Sequence, residues 1–493
     1  MAITEPLYTA AEMRAAEEAY DGPTLELMER AGTAVAEAVL ARYPETAAVS
    51  IWCGTGANGG DGLVVARKLH DAGRTVEIRL LGPEEKIKGD AAENLRRAKE
   101  LGLAFTEHGL NGEVVVDALF GTGFSGRPRD DAARRIAELN AVGVPVVSVD
   151  VPSGVDASTG EVAGPAVEAD LTVTFHAPKV GLVVAPGRFH AGDVAVADIG
   201  LQARETRHAR VTEAVLAQVP RRGPRDNKYT AGSVLVVGGS TGKTGAPCLT
   251  AEATLRAGAG IVTVCVPASL NLVFEQRLLE AMSRPCPDED GVMTMDAADE
   301  ILAAAEKATA VALGPGLGRT DAVRALVGYL LDRLDKPVVL DADALWAVAG
   351  HLDWIFSRDA QTVLTPHAGE LGRLLGRDSA WVSARRLLAA QTGADDVGAV
   401  VLLKGADTIV ASPGRGVLVC DLGNPGLATA GAGDVLTGIV AAFLAKGMDA
   451  KTAAAAAAAA SGAAARFAAD RHGFAGMIAS DVVESLSPAL SLG

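Results

Sequence analysis

The chain has 493 residues, 49% of them apolar, with 56 glycines and a formal net charge of −16. That length exceeds one ordinary hydrophobic core and predicts two or three globular α/β domains with many tight turns. The acidic balance excludes a general nucleic-acid binder, which needs basic patches, but not a phosphorylated small molecule held by backbone N–H groups. The five cysteines are widely spaced with no CxxC pair, which predicts small buried hydrophobes in a reducing compartment rather than disulfides or a zinc site. No apolar run reaches the ~20 residues of a membrane span, and the acidic N-terminal stretch is no signal peptide. Cytosol is the expected compartment, with no membrane or nucleic-acid partner.

In chain order, the sequence opens with a helix capped by Thr9 and a second over 24–43. Strand-length apolar runs follow at 47–53, 76–81, 114–119, 144–149, 171–175 and 194–197, with helical stretches at 62–72 and 91–101. Residues 201–232 break the pattern with Arg, Lys, Pro220 and Pro224. This break divides the chain into domains 1–210 and 211–493, and a short helix at 211–218 belongs to the second. Strands are then predicted at 234–237, 261–266, 310–313, 338–340, 362–364, 400–403, 408–411 and 417–419. Helices at 433–446 and 451–470 close the chain; the second is alanine-rich, as a buried helix that packs closely would be. Strand–helix alternation at this spacing predicts right-handed crossovers and mostly parallel sheets, with ligands at the carboxyl ends of the strands.

Two glycine-rich loops follow strands in the first half. "CGTGANGGDG" (53–62) and "GTGFSG" (121–126) both satisfy GxGxxG. A dinucleotide fingerprint also needs an acid at the end of the next strand, and Glu77 lies inside its strand. The polar residues say more: Asn58 and Asp61 in the first loop, Asp117 before the second, and Asp150 and Ser153 past another strand. Singly, these aspartates would cap helices or tighten turns. Converging on one sheet edge, their oxygens suit a hard cation or a hydroxyl-rich ligand.

"LMERAG" (27–32), "NGGDG" (58–62), "DALFGTGFSG" (117–126) and "DVPSGVDASTG" (150–160), in that order, closely resemble the NAD(P)H-hydrate epimerase domain over almost all of residues 10–200. The resemblance implies a Rossmann-like three-layer α/β/α domain that interconverts the two C6 epimers of hydrated NADH and NADPH and binds potassium. By it, Ala57, Asn58, Gly59, Gly60 and Asp61, with Gly121, Thr122, Gly123, Phe124, Ser125, Gly126 and Arg127, hold the hydrated nucleotide. Asn58, Asp117 and Ser153 coordinate K+, and Asp150 touches the reacting ring as acid/base. The family usually has a second asparagine where this chain has Ala57.

In the second half, "TAGAGD" (429–434) opens an apolar helix. The backbone N–H groups of Gly431 and Gly433 can face an anion there, and Asp434 in the first turn can take a proton from a hydroxyl. "LLKGADTIV" (402–410), "VLTPHAGEL" (363–371), "GPGLG" (314–318) and "DADAL" (341–345) accompany it. The set resembles the ribokinase-like ADP-dependent NAD(P)H-hydrate dehydratase domain over essentially all of 225–490. That resemblance implies that Lys404, Gly405, Ala406, Asp407, Thr408 and Gly433 bind ADP or AMP. Ala253, Gly316, His367 and Asp434 contact the hydrated nucleotide, and Asp434 is catalytic. Mg2+ on the nucleotide phosphates and assembly as a homo-oligomer, a tetramer or larger, are implied as well.

"GGSTGKTGAP" (238–247) imitates a Walker loop, but Val237 stands where its first glycine belongs. Lys243 is therefore expected to be an incidental or substrate-edge cation. Two rival readings are a kinase of a small alcohol on the same fold and a non-catalytic nucleotide sensor. The first-half motifs argue against the former, and the retention of both Asp150 and Asp434 against the latter.

Overall fold

The computed structural model describes residues 2–106 and 112–491. Pro6–His208 forms one compact unit; Ala209–Gly493, with the residues before Pro6, forms the other.

The first unit is a seven-stranded parallel sheet. Its spatial order is Ala104–Phe105, Thr75–Leu80, Ala48–Cys53, Val114–Ala118, Val146–Val149, Leu171–Phe175 and Asp193–Ala197. The central strands are buried along their length, as strands covered on both faces must be. The chain runs outward in both directions from the boundary between Ala48–Cys53 and Val114–Ala118, which makes that boundary the topological switch point. One expectation fails locally. The helix expected at 62–72 starts at Ala57 and runs to Asp71, so Asn58–Asp61 form its first turn rather than a free loop. Glycine permits this: a Cβ on Gly59 would stand 1.9 Å from the Gly54 carbonyl oxygen, and one on Gly62 2.6 Å from Ala118 Cβ. The helix start therefore lies directly against the strand ends.

The second unit holds an eleven-stranded sheet among the described residues. It runs Thr4–Leu7, His208–Val211, Leu418–Cys420, Thr408–Ala411, Val400–Leu403, Thr362–Leu364, Val338–Leu340, Ala310–Leu313, Ser233–Val237, Ile261–Pro267 and Met282–Cys286. All pairs from Val400–Leu403 to Met282–Cys286 are parallel, while Thr408–Ala411 is antiparallel to both neighbours. Three strands, two at the edges and one next to an edge, escaped the sequence pattern. Thr4–Leu7 is half polar, His208–Val211 precedes a 3₁₀ turn (Glu213–Gln218) where a helix over 211–218 was expected, and Met282–Cys286 contains Pro285. Here the switch point lies between Ser233–Val237 and Ala310–Leu313.

Helices Gly245–Arg256 and Ala432–Ala445 pack so closely that a Cβ on Gly438 would meet the Thr250 carbonyl oxygen at 2.3 Å. The Ala450–Gly476 helix buries an unbroken run of alanines from Ala453 to Ala460 in the same core. Alanine serves here because small side chains let three helices and a sheet share one close-packed interior. All five cysteines are buried and free. Among the described residues no helix is long and apolar enough to cross a membrane.

Candidate functional site

At the switch point of the first sheet lies a cavity of about 500 Å³. Ala57, Asn58, Asp61, Gly121, Thr122, Gly123, Phe124 and Asp150 line it, with Glu17, Thr24 and Met28 from the two N-terminal helices. Gly59 and Gly60 are buried behind the lining and provide packing: a Cβ on Gly60 would meet Met28 Sδ at 2.7 Å. Ser125, Gly126 and Arg127 are exposed outside the lining.

Asp150 has a left-handed backbone, φ 67°, which costs an L-residue roughly 1–2 kcal/mol. This turn brings its carboxylate back against Leu171–Phe175, where it accepts from Thr174 Oγ1 at 3.0 Å. Lys179 Nζ stands 2.6 Å from the same oxygen. Lys179 is fully buried and also donates to Thr174 Oγ1 (2.9 Å) and to the Phe175 carbonyl (2.7 Å). Sequence reasoning missed this lysine, although a lone charge in the apolar run "VTFHAPKVGLVV" was its signal. Glu17 was missed as well, because it comes from a helix far away in sequence. Asp61 carries its carboxyl well above the ordinary range, first through burial, then through the charges of Asp150 and Glu17. The cavity thus pairs a carboxyl that holds its proton with a carboxylate tied to an ammonium group.

Asp117 lies behind Asp150, fully buried. It accepts from Ser153 Oγ (2.6 Å), Ser153 N and Ser148 Oγ (both 2.9 Å) and Leu119 N (3.3 Å). Burial nonetheless raises its pKa, and no cationic side chain reaches it among the described residues. Ser153 Oγ also accepts from Phe120 N at 2.8 Å. Asn58 packs on the adjoining Gly121, and its Nδ2 is buried without a hydrogen-bond partner. A buried carboxylate without a counter-charge is a feature a monovalent cation would satisfy, and the Asn58 amide, if turned over, would put an oxygen rather than an N–H at its unpaired position.

In the second unit, Asp434 occupies the first turn of Ala432–Ala445, whose N-cap Gly431 has φ 90° and supplies no capping side chain. Lys404, just past Val400–Leu403, puts Nζ 2.9 Å from Asp341 Oδ1 and 3.8 Å from Glu370 Oε2. Thr437 Oγ1 donates to the other Asp341 oxygen at 2.8 Å. Burial, which alone would lower the Lys404 pKa, is outweighed by Asp341 and Glu370, and the ammonium stays charged. Asp434 moves the other way. Burial and then Asp341 push its carboxyl up to about 7, against the pull of Lys404.

Gly433 sits beside this group: a Cβ there would lie 3.2 Å from Lys404 Nζ. His367 is the N-cap of Ala368–Leu375; Nδ1 accepts from Gly369 N at 3.0 Å and Nε2 lies 3.5 Å from Glu370 Oε1.

Two residues differ from their expected roles. Ala253 has no exposed surface and packs under Gly438, so its side chain cannot touch a ligand. Asp407 is buried in an ion pair with Arg386 (Nε–Oδ1 2.8 Å), which also donates to the Lys404 carbonyl at 3.3 Å. The Asp407 carboxylate therefore shapes the Lys404–Thr408 turn from beneath. Lys243, expected as an incidental or substrate-edge cation, is anchored: Nζ is 2.8 Å from Asp343 Oδ2, while Arg319 Nε is 2.7 Å from Asp343 Oδ1. Gly316, with φ 63°, is buried against the Lys243 backbone.

Comparison with known proteins matches each half of the chain separately. A family described as NAD(P)H-hydrate dehydratase matches residues 234–488, and one described as YjeF-related protein N-terminus matches 24–181. A bifunctional NAD(P)H-hydrate repair enzyme of Moorella thermoacetica is 42% identical over 97% of this chain and 96% of its own. One of Coxiella burnetii is 39% identical over 94% of each. A ribokinase-like superfamily protein of Enterococcus faecalis, 22% identical, shares the second unit's fold, with TM-score 0.50 over 59% of this chain and 98% of its own.

Proposed function

The chain belongs to the family of bifunctional NAD(P)H-hydrate repair enzymes, and we propose that its two sites divide the repair between them. The cavity of the first unit exchanges the R and S epimers of NADH and NADPH hydrated at C6. The second unit dehydrates the S form with ADP, giving NAD(P)H, AMP and phosphate.

In the first site, epimer exchange needs a proton moved at the C6 substituent, and Asp150 is the acid/base. Lys179 holds the Asp150 carboxylate in place through its 2.6 Å contact. Asn58, Asp117 and Ser153 would hold potassium, whose fixed positive charge would balance Asp117; turning the Asn58 amide offers its oxygen at the unpaired position. The other cavity residues hold the nucleotide and exclude bulk water.

In the second site, Asp434 takes the proton of the C6 hydroxyl, and the alkoxide attacks the terminal phosphoryl group of ADP. Gly433 N–H, the helix N-terminus and Lys404 stabilise the charge on the phosphoryl oxygens. The ring nitrogen's lone pair then expels phosphate by breaking the C6–O bond. Loss of the C5 proton restores the dihydropyridine. Asp341 and Asp343 are already tied to cations and no cluster of three metal-ligating side chains occurs among the described residues. Magnesium would accordingly travel on the nucleotide phosphates.

One observation carries the reading: a carboxyl with a pKa of about 7 at a helix N-terminus beside a charged lysine. A base poised near neutrality is what hydroxyl deprotonation needs. The test gives the purified protein each epimer of hydrated NADH with ADP and follows NADH absorbance. Repair of both epimers is expected, and repair of neither refutes the proposal. Cytosolic location and a homo-oligomer, a tetramer or larger, complete the reading; sedimentation analysis checks the assembly.

A further inference from the structure

The misspaced Walker-like loop is the one sequence motif that these two reactions leave unused. It follows Ser233–Val237, and "GPGLG" follows Ala310–Leu313, so the two loops flank the switch point of the second sheet. They are tied together: Gly239 N donates to the Pro315 carbonyl at 2.9 Å and Ser240 Oγ to the Gly316 carbonyl at 2.8 Å. An open α/β sheet binds ligands in this crevice.

Each loop contributes one cation. Lys243 Nζ (2.8 Å) and Arg319 Nε (2.7 Å) bind different oxygens of Asp343, which also accepts from Gly318 N at 2.9 Å. The Asp343 side chain is 4% exposed, those of Lys243 and Arg319 each 46%. Burial, which would raise the Asp343 pKa, is outweighed by Lys243, the Gly318 N–H and Arg319. A buried, ionised carboxylate thus holds two cationic heads side by side with one net positive charge left over. The ammonium and the guanidinium NH1 and NH2 groups retain donors for another acceptor.

We propose that Lys243 and Arg319 form a phosphate-binding subsite that takes a phosphate of the hydrated dinucleotide, not one of ADP. This rests on the dehydratase reading of the second unit. Asp343 lies two residues beyond Asp341, whose Oδ2 is 4.0 Å from where a Cβ on Gly433 would stand, so the pair borders the reacting centre. The ADP turn at Lys404–Thr408 follows a strand three places along the sheet from Ala310–Leu313, roughly 14 Å at the usual strand spacing. ADP in that turn, with its terminal phosphate at Gly433, leaves the crevice beside Gly316 to the second substrate. The phosphate bound is either the pyrophosphate, common to both hydrates, or the 2′-phosphate of the NADPH form alone.

Steady-state dehydration of the S hydrates of NADH and NADPH at saturating ADP separates these cases in the full-length protein and in Lys243→Met, Arg319→Met and Lys243→Arg. Either methionine variant should raise the dinucleotide KM about tenfold, as loss of a half-exposed charge-assisted contact does. The kcat and the KM for ADP should stay within about twofold, and Lys243→Arg should restore most of the affinity. A rise for both hydrates identifies the pyrophosphate; a rise for the NADPH form alone identifies the 2′-phosphate. Unchanged dinucleotide KM values in active variants, or a rise in the KM for ADP instead, overturn the subsite. A fall in kcat alone also overturns it, because Lys243 and Arg319 would then only be anchoring the loops. If the unaltered protein dehydrates neither hydrate, the dehydratase reading itself fails, and the subsite with it.

Discussion

Replacing Asp434 with asparagine should slow dehydration by orders of magnitude and, at alkaline pH, make the second unit more stable. The folded protein holds this carboxyl at about 7 against 3.8 when unperturbed. Because the folded state binds the proton more tightly, the group's stabilising contribution is complete below 3.8 and is lost as pH rises through about 7. The three-unit span corresponds to about 4 kcal/mol, of which roughly 2–3 kcal/mol falls between pH 5 and 8.5. Asparagine does not titrate, so its stability advantage over the unaltered protein should grow by that amount across the same range. Denaturant melts at several pH values, followed by tryptophan fluorescence, measure it. Three of the four tryptophans, Trp346, Trp354 and Trp381, lie in the second unit. The dehydration rate of the unaltered enzyme should rise with pH through an inflection near 7 and fall about 10²–10⁴-fold in the variant. A stability difference independent of pH, or an inflection below pH 5, would refute the electrostatic account of this aspartate.

Asp150→Asn should stop epimer exchange while dehydration of the pure S hydrate continues, read by separating the epimers chromatographically. Lys179→Met should do the same and lower stability by roughly 3–5 kcal/mol, since it strips a buried carboxylate of its ammonium partner; unchanged epimer exchange would remove Lys179 from the site. Arg386→Met withdraws the guanidinium from Asp407 and from the Lys404 carbonyl. It should raise the KM for ADP at least tenfold and lower the melting temperature, while epimer exchange is untouched. Gly59→Ala would force a Cβ to within 1.9 Å of the Gly54 carbonyl oxygen. A melting temperature equal to the parent's would disprove the close contact between helix and strand end.

How much of this was legible beforehand can be seen in single residues. Asp434 announced itself because "TAGAGD" joins small residues, which free backbone N–H groups, to an acid at a helix start. Asn58, Asp61, Asp117 and Asp150 were legible because each lies near the carboxyl end of a strand-length apolar run or in the turn after it, and parallel strands deliver those ends to one edge. Lys179 was not, because its partner is 29 positions away and only the left-handed turn at Asp150 brings the two together. Ala253 and Asp407 show the opposite error: a residue inside a matching motif need not face the ligand. One lies under Gly438 and the other under Arg386.

By itself the sequence determined the periodicity of strands and helices, the glycines that permit close approach, and hence two α/β units with sites at their strand ends. These are local properties, set by steric allowance and apolar spacing over a few residues. Only the tertiary structure decided which charges meet. It fixed Lys179 on Asp150, Lys404 on Asp341, and Lys243 with Arg319 on Asp343. It also buried Asp434 deeply enough to lift its carboxyl to about 7. Desolvation and Coulomb energies depend on distance in space, and residues far apart in the chain supply them. The lysine of "GGSTGKTGAP" shows the division: its sequence imitates a nucleotide loop, and only the tertiary structure pairs it, beside Arg319, with Asp343.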